Sequence, residues 1–323
     1  MNPNSNPTRA QGQPSALTDV AYHNTAFWNI FVGGVGTKAG QSVLARYAAD
    51  SEPFAMSAFH LDTDPGTSMD TDDRLVIQLT AADVRAMRAN PGNFGPIATA
   101  IIQRLGRLLS AGDILNGSRT TRPLTQLAFL FYADRLCRAL RRSLIRLRDR
   151  HKTRLVTPVI VSSSGGGAGS SAQILLMDLL RNPVFRHRLL SGSPSDLLLP
   201  PMSFVVEPFA FAGSASLMQA RKIIANAFAF RLESEFMLRA HAVSYVTHIG
   251  YANNAGTVLA DPDLMAKVLG NAVYEIERCW PEIKARWVDG PDDVASTTHY
   301  GGQDSPEFDV SNGNRLHARR RQP

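Results

Sequence analysis

Two glycine-rich segments hold the residues best suited to chemistry in this chain. The first, Gly33-Gly34-Val35-Gly36-Thr37, follows the apolar run Phe27 to Val32. The second lies in Ser162-Ser163-Ser164-Gly165-Gly166-Gly167-Ala168-Gly169-Ser170-Ser171 and follows the apolar run Leu155 to Val161. A helical pattern follows each. Glycine in such a turn lets the backbone approach an anion closely and aim several N–H groups at it, and the helix behind adds its positive N-terminal end. Two such turns on one sheet can grip a single polyphosphate.

The first segment alone leaves its ligand open. A Walker A loop needs GxxxxGK[ST], and GGVGTKAG from Gly33 to Gly40 puts Lys38 in the wrong place for it. A dinucleotide fingerprint needs GxGxxG, and Gly34-Val35-Gly36-Thr37-Lys38-Ala39 ends in an alanine that some versions tolerate. No Ser/His/Asp or Cys/His arrangement stands out, and His60, His241 and His248 lie in or beside strand-like runs, as core or edge residues do.

A sheet has to position these turns. Short β-like runs alternate with longer helical patterns, which predicts an α/β fold with a mainly parallel sheet flanked by helices. Strands are expected at 27–32, 55–61, 74–79, 155–161, 204–206 and 243–249. Helices are expected at 38–49, 81–89, 97–109, 124–150, from the second glycine segment to Leu180, and at 217–238 and 261–280. With 323 residues, 44% hydrophobic and 19% charged, the chain can bury a substantial core. Residues 1–20 are expected to be a flexible arm, 21–288 a single domain, and 289–323 a flexible basic tail.

Cys137 and Cys279 suggest neither a disulfide framework nor zinc, the first 20 residues lack a signal-peptide core, and no apolar run is long enough to span a bilayer. A cytoplasmic protein without a membrane span is expected. The net charge of +6 owes much to arginines in 135–150 and at the C-terminus. The arginine-rich helix lacks the interleaved aromatics of a single-strand-binding surface, so nucleic acid is not expected as a partner.

The segment SSSGGGAGSS closely resembles the GGGTGSG signature of the tubulin/FtsZ superfamily, with Ala168 in place of the threonine and Ser171 in place of the last glycine. The resemblance covers roughly residues 25–285 and implies that family's nucleotide-binding domain, GTP or GDP as ligand, and Mg2+. It assigns the phosphates to Gly33, Gly34, Val35, Gly36 and Thr37 and to Gly165, Gly166, Gly167, Ala168, Gly169 and Ser170. Asp62-Thr63-Asp64 resembles the Asn-Thr-Asp that ends the second strand, which puts Asp62 or Asp64 near the metal, although Asp62 would serve equally to cap a turn. Gly117, Ser118, Arg119 and Arg122 fall where the γ-phosphate is sensed. They look like the version found in divergent bacterial tubulin-like proteins, which carry arginine there.

Pro208 to Gly213 matches PFxFEG with alanine at the ribose-contacting glutamate, leaving Glu207 as its substitute. Asn253, Asn254 and Asp261 fall where guanine is recognised. A chain lacking the family's usual C-terminal domain is expected, and Asp289, Asp292 and Asp293 do not reproduce the acidic loop that completes a neighbouring subunit's site. The expectation is a guanine-nucleotide-binding protein and a weak GTPase that self-associates or takes an acidic residue from a partner. A non-hydrolysing, nucleotide-gated interaction module is the alternative, and an NAD-type enzyme a third.

Overall fold

A computed structural model describes residues 25–71, 73–105, 121–153, 155–190, 198–209, 215–240, 245–250, 261–280 and 296–300. Strand β1 (Thr25–Val32) is buried along its whole length, as a strand covered on both faces must be. It pairs in parallel with β2 (Met56–Asp62) on one side and β4 (Leu155–Ser163) on the other. The short β3 (Arg74–Val76) adds beyond β2, and β5 (Met202–Val206) and β6 (Tyr245–Ile249) add beyond β4. The result is a six-stranded, all-parallel sheet in the order β3-β2-β1-β4-β5-β6, with β7 (Ser296–Tyr300) beside β6.

Alternate residues of β1 serve opposite faces. Ala26, Trp28, Ile30 and Val32 join a core built with α2 (Ala81–Ala89), α3 (Gly95–Leu105), α4 (Arg122–Phe131), α5 (Ala133–His151), α6 (Gly167–Arg181), α7 (Pro183–Leu190) and α8 (Leu217–Arg239). Phe27 and Phe31 join the other core, under α1 (Gly33–Ala49) and α9 (Pro262–Arg278). Each large side chain buried this way contributes about 1.5–3 kcal/mol.

Several expected boundaries move. Both glycine segments run straight into helix, at Gly33 and Gly167, so little loop remains. The expected helix over 124–150 is two helices, broken at Tyr132. The break lets the Tyr132 hydroxyl donate to Asp83 on α2 (2.6 Å) while Phe131 stacks on Phe94. Burial, reinforced by that bond, pushes the Tyr132 pKa up to about 12, so it remains a donor. Helix α7 was not expected; the Asn182 side chain starts it by accepting from the Val184 and Phe185 amides. Among the described residues, no helix is long and apolar enough to cross a membrane.

Helices α1 and α9 run side by side, joined by ion pairs Lys38–Asp263 at one end and Arg46–Glu275 at the other. Between these pairs the helices touch at Gly270, where an added Cβ would lie 2.4 Å from the Ala39 carbonyl oxygen and 2.8 Å from Ser42 Cβ. Gly270→Ala is expected to cost about 1–3 kcal/mol, as overpacking does, and to lower the urea midpoint. An unchanged midpoint would mean that α9 is free to shift outward.

Candidate functional site

Leaving β1 the chain turns toward β2 and β3; leaving β4 it turns toward β5 and β6. The carboxyl ends of β1 and β4 therefore flank the point where the winding reverses, the usual place for a ligand crevice in an open α/β sheet. Both glycine segments sit there. Gly33, with φ +71, adopts a backbone that only glycine enters freely. A Cβ on it would lie 3.3 Å from the Gly169 amide nitrogen and 3.6 Å from Ala168 Cβ, so the two helix starts are packed against one another.

Neither start is capped by a side chain. Val32 and Gly166 occupy the N-cap positions of α1 and α6 without a side-chain hydrogen bond, and neither helix has an acidic residue in its first turn. The first-turn N–H groups of a helix have no partner inside it, and two helix dipoles add positive potential at one spot. By contrast Thr80 and Ser216 build capping boxes on α2 and α8, and Asp261 caps α9.

Side chains below the crevice hold its shape. Thr37 donates to the Gly33 carbonyl (3.0 Å), and its Oγ1 lies 2.8 Å from Nε2 of the fully buried His60 on β2. The Thr37 hydroxyl thus faces its own helix start and β2. Ser170 likewise donates back to the Gly166 carbonyl, and Ser164 reaches the Val206 carbonyl on β5 (3.0 Å). Gln173, buried on α6, bonds Ser162 and Ser203 and donates to the Ile160 carbonyl, which ties α6 to β4 and β5. Asn226 on α8 donates to the Gly165 carbonyl (3.0 Å), and Ile223 packs so close that a Cβ on Gly165 would meet it at 2.6 Å.

Sequence reasoning missed Gln173, Asn226 and Ile223. Gln173 carried a signal, as a polar residue on an otherwise apolar helix face. Asn226 and Ile223 carried none, because nothing local ties α8 to a turn about 60 residues earlier in the chain.

The remaining expected site residues fall as follows. Asp62 ends β2 next to β1, is buried, and accepts from the Thr63 amide (2.7 Å), the Asp64 amide (3.2 Å) and the Thr67 hydroxyl (2.6 Å). Its carboxylate therefore builds the turn after β2. Asp64 accepts the Gly66 amide through Oδ1 (2.9 Å). Arg122 lies beside α6, with Nη2 3.5 Å from the Ser170 carbonyl and its charge paired with Glu233 of α8. Glu207, just past β5, lies 2.6 Å from His248 of β6. Asp261 accepts from the Asp263 amide (2.8 Å) and the Leu264 amide (3.4 Å). Gly117, Ser118, Arg119, Asn253 and Asn254 lie outside the described residues. Among the described residues no group of three or more His, Cys, Asp or Glu side chains is gathered for a metal.

The crevice can thus receive an anion on backbone amides from both sides, with its walls locked by buried hydrogen bonds. A scan against protein-family models finds no match to this chain, and a search of curated proteins returns no relative.

Proposed function

We propose that the crevice between the starts of α1 and α6 binds the phosphates of a guanine nucleotide, GTP or GDP, and that the chain is a tubulin-like GTP-binding protein. The observation that carries this is the pair of uncapped, mutually packed helix starts at the reversal of the sheet. The guanine assignment rests on the likeness of SSSGGGAGSS to the tubulin/FtsZ signature and on Asp261, at the start of a helix paired to α1 through Lys38–Asp263.

A phosphate-bound Mg2+ asks for only one or two carboxylates from the protein. Asp62 is consumed by its turn, so Asp64, two residues past the end of β2, is the carboxylate suited to the ion. Hydrolysis would rely on amides aimed at the developing phosphate charge. With no counterpart of the family's acidic loop in the sequence, turnover is expected to be slow, or to need an acidic residue from a partner or a second copy.

A non-hydrolysing, nucleotide-gated module is the second reading, favoured by the direct grip of α8 on the second glycine turn through Asn226 and Ile223. An NAD-type site shares the strand order, but the acidic residue it needs at the end of β2 is the turn-building Asp62.

Binding of labelled GTP, competed with unlabelled GTP, ATP and NAD with and without Mg2+, tests the proposal. Selective competition by GTP is expected. Competition by NAD alone would transfer the site to the third reading, and absence of any nucleotide binding would remove it.

A further inference from the structure

Helix α8 turns one side to the sheet, and among the described residues its other side is exposed. Ile223, Ala227, Phe230 and Leu238 are buried, while Ile224, Phe228 and Leu232, four residues apart, are 47%, 66% and 56% exposed. Leu217, Met218 and Phe236 extend this apolar surface and are exposed as well. A fully buried aromatic removes 150–250 Å² from water, so Phe228 and Phe236 alone present roughly 200–300 Å². A contiguous patch of that kind on a soluble chain marks an interaction surface. Among the described residues the other large exposed apolar side chains are Ile97, Ile145, Val184 and Leu264, scattered over separate helices, and Phe209 just past β5.

The charges on the same stripe identify the occupant. Arg221 and Glu235 lie seven residues before and after Phe228 and so share its face, and Ile224 and Leu232 lie four residues before and after it. At positions 221, 224, 228, 232 and 235 the stripe is therefore symmetric in apolar residues about Phe228 and antisymmetric in charge, with Arg239 also 3.9 Å from Glu235 on the same helix. Two copies laid antiparallel around Phe228 would bring Ile224 of each onto Leu232 of the other and Arg221 of each onto Glu235 of the other. A parallel pairing would instead oppose arginine to arginine and glutamate to glutamate. Self-complementarity of this kind is what a two-fold interface requires.

We propose that two copies of this chain associate through antiparallel α8 helices, with Phe228 on the two-fold axis. The pairing stands independently of nucleotide binding. A single helix pair lies toward the small end of stable interfaces, so dissociation on the order of micromolar is expected.

Sedimentation equilibrium of the full chain from about 1 to about 200 µM tests it across the range where such an affinity would show. A monomer–dimer equilibrium is expected in the wild type, and monomer throughout in Phe228→Glu, whose exposed position leaves the urea midpoint unchanged at protein concentrations too low for the dimer to form. Arg221→Glu should weaken association about tenfold by placing like charges opposite one another, and Arg221→Glu with Glu235→Arg should restore it. A wild type that stays monomeric, a Phe228→Glu variant that still dimerises, or a double variant no better than the single one would each overturn the proposal. The first of these would assign the stripe to a different protein.

Discussion

Gly34→Asp is expected to weaken GTP binding at least about 100-fold while leaving the fold intact. An added Cβ at Gly34 meets nothing within 4 Å, and the residue is exposed in the first turn of α1. The new carboxylate would stand where the uncapped amides of α1 face the proposed phosphates. At about 4 Å and an effective dielectric of about 20, each unit-charge repulsion costs about 4 kcal/mol, which exceeds a 100-fold loss of affinity. The same carboxylate favours the helix itself, by about 0.3–1 kcal/mol at a helix N-terminus. Loss of binding with an unchanged or raised urea midpoint therefore isolates the anion site from any folding defect. Unchanged GTP affinity in this variant would mean that no phosphate sits on α1, and the reading of the first glycine segment would fail.

The second large effect concerns Glu277, buried on α9 beneath β1 at 1% exposure. Burial pushes its pKa from the ordinary 4.5 up to about 8, against the opposing pull of the hydrogen bond from Asn29 Nδ2 (3.1 Å), so it is mostly protonated at neutral pH. A carboxyl whose folded pKa is raised binds its proton more tightly in the folded state. Its contribution to stability is full below about pH 4.5, falls as pH rises, and is gone above about 8. The loss over that window is on the order of several kcal/mol.

Glu277→Gln removes this titration. Its carboxamide keeps an acceptor for Asn29 and adds a donor beside Asn29 Oδ1, which has no hydrogen-bond partner among the described residues. Urea unfolding at pH 5, 7 and 9 should show the glutamine variant gaining on the wild type as pH rises, with the largest gain at pH 9. Parallel pH profiles for the two proteins would show that Glu277 does not titrate on folding.

Much of the frame was legible because parallel strands covered on both faces read as short apolar runs. The β-like runs of β1 and β4 and the helix at 81–89 fall close to where the pattern put them. The break at Tyr132 was not legible, since the leucine spacing continues through it and only the contact with Asp83, 49 residues away, turns the chain. Glu277 was equally hidden: its position on a helix looked ordinary until packing set it under Asn29.

The alternation of strand and helix and the glycine turns after β1 and β4 could be read from the chain alone, because both follow from local spacing and backbone freedom. That those turns meet is a property of the assembled sheet. Strand order depends on which distant runs pair, and it is the β3-β2-β1-β4-β5-β6 order that makes Gly33 a neighbour of Gly169. Packing also settled which polar groups are already committed, Asp62 to its turn and Arg122 to Glu233. It left the outer face of α8 uncovered as well, because an apolar stripe records that a surface wants burial and only the assembled neighbours show whether anything supplies it.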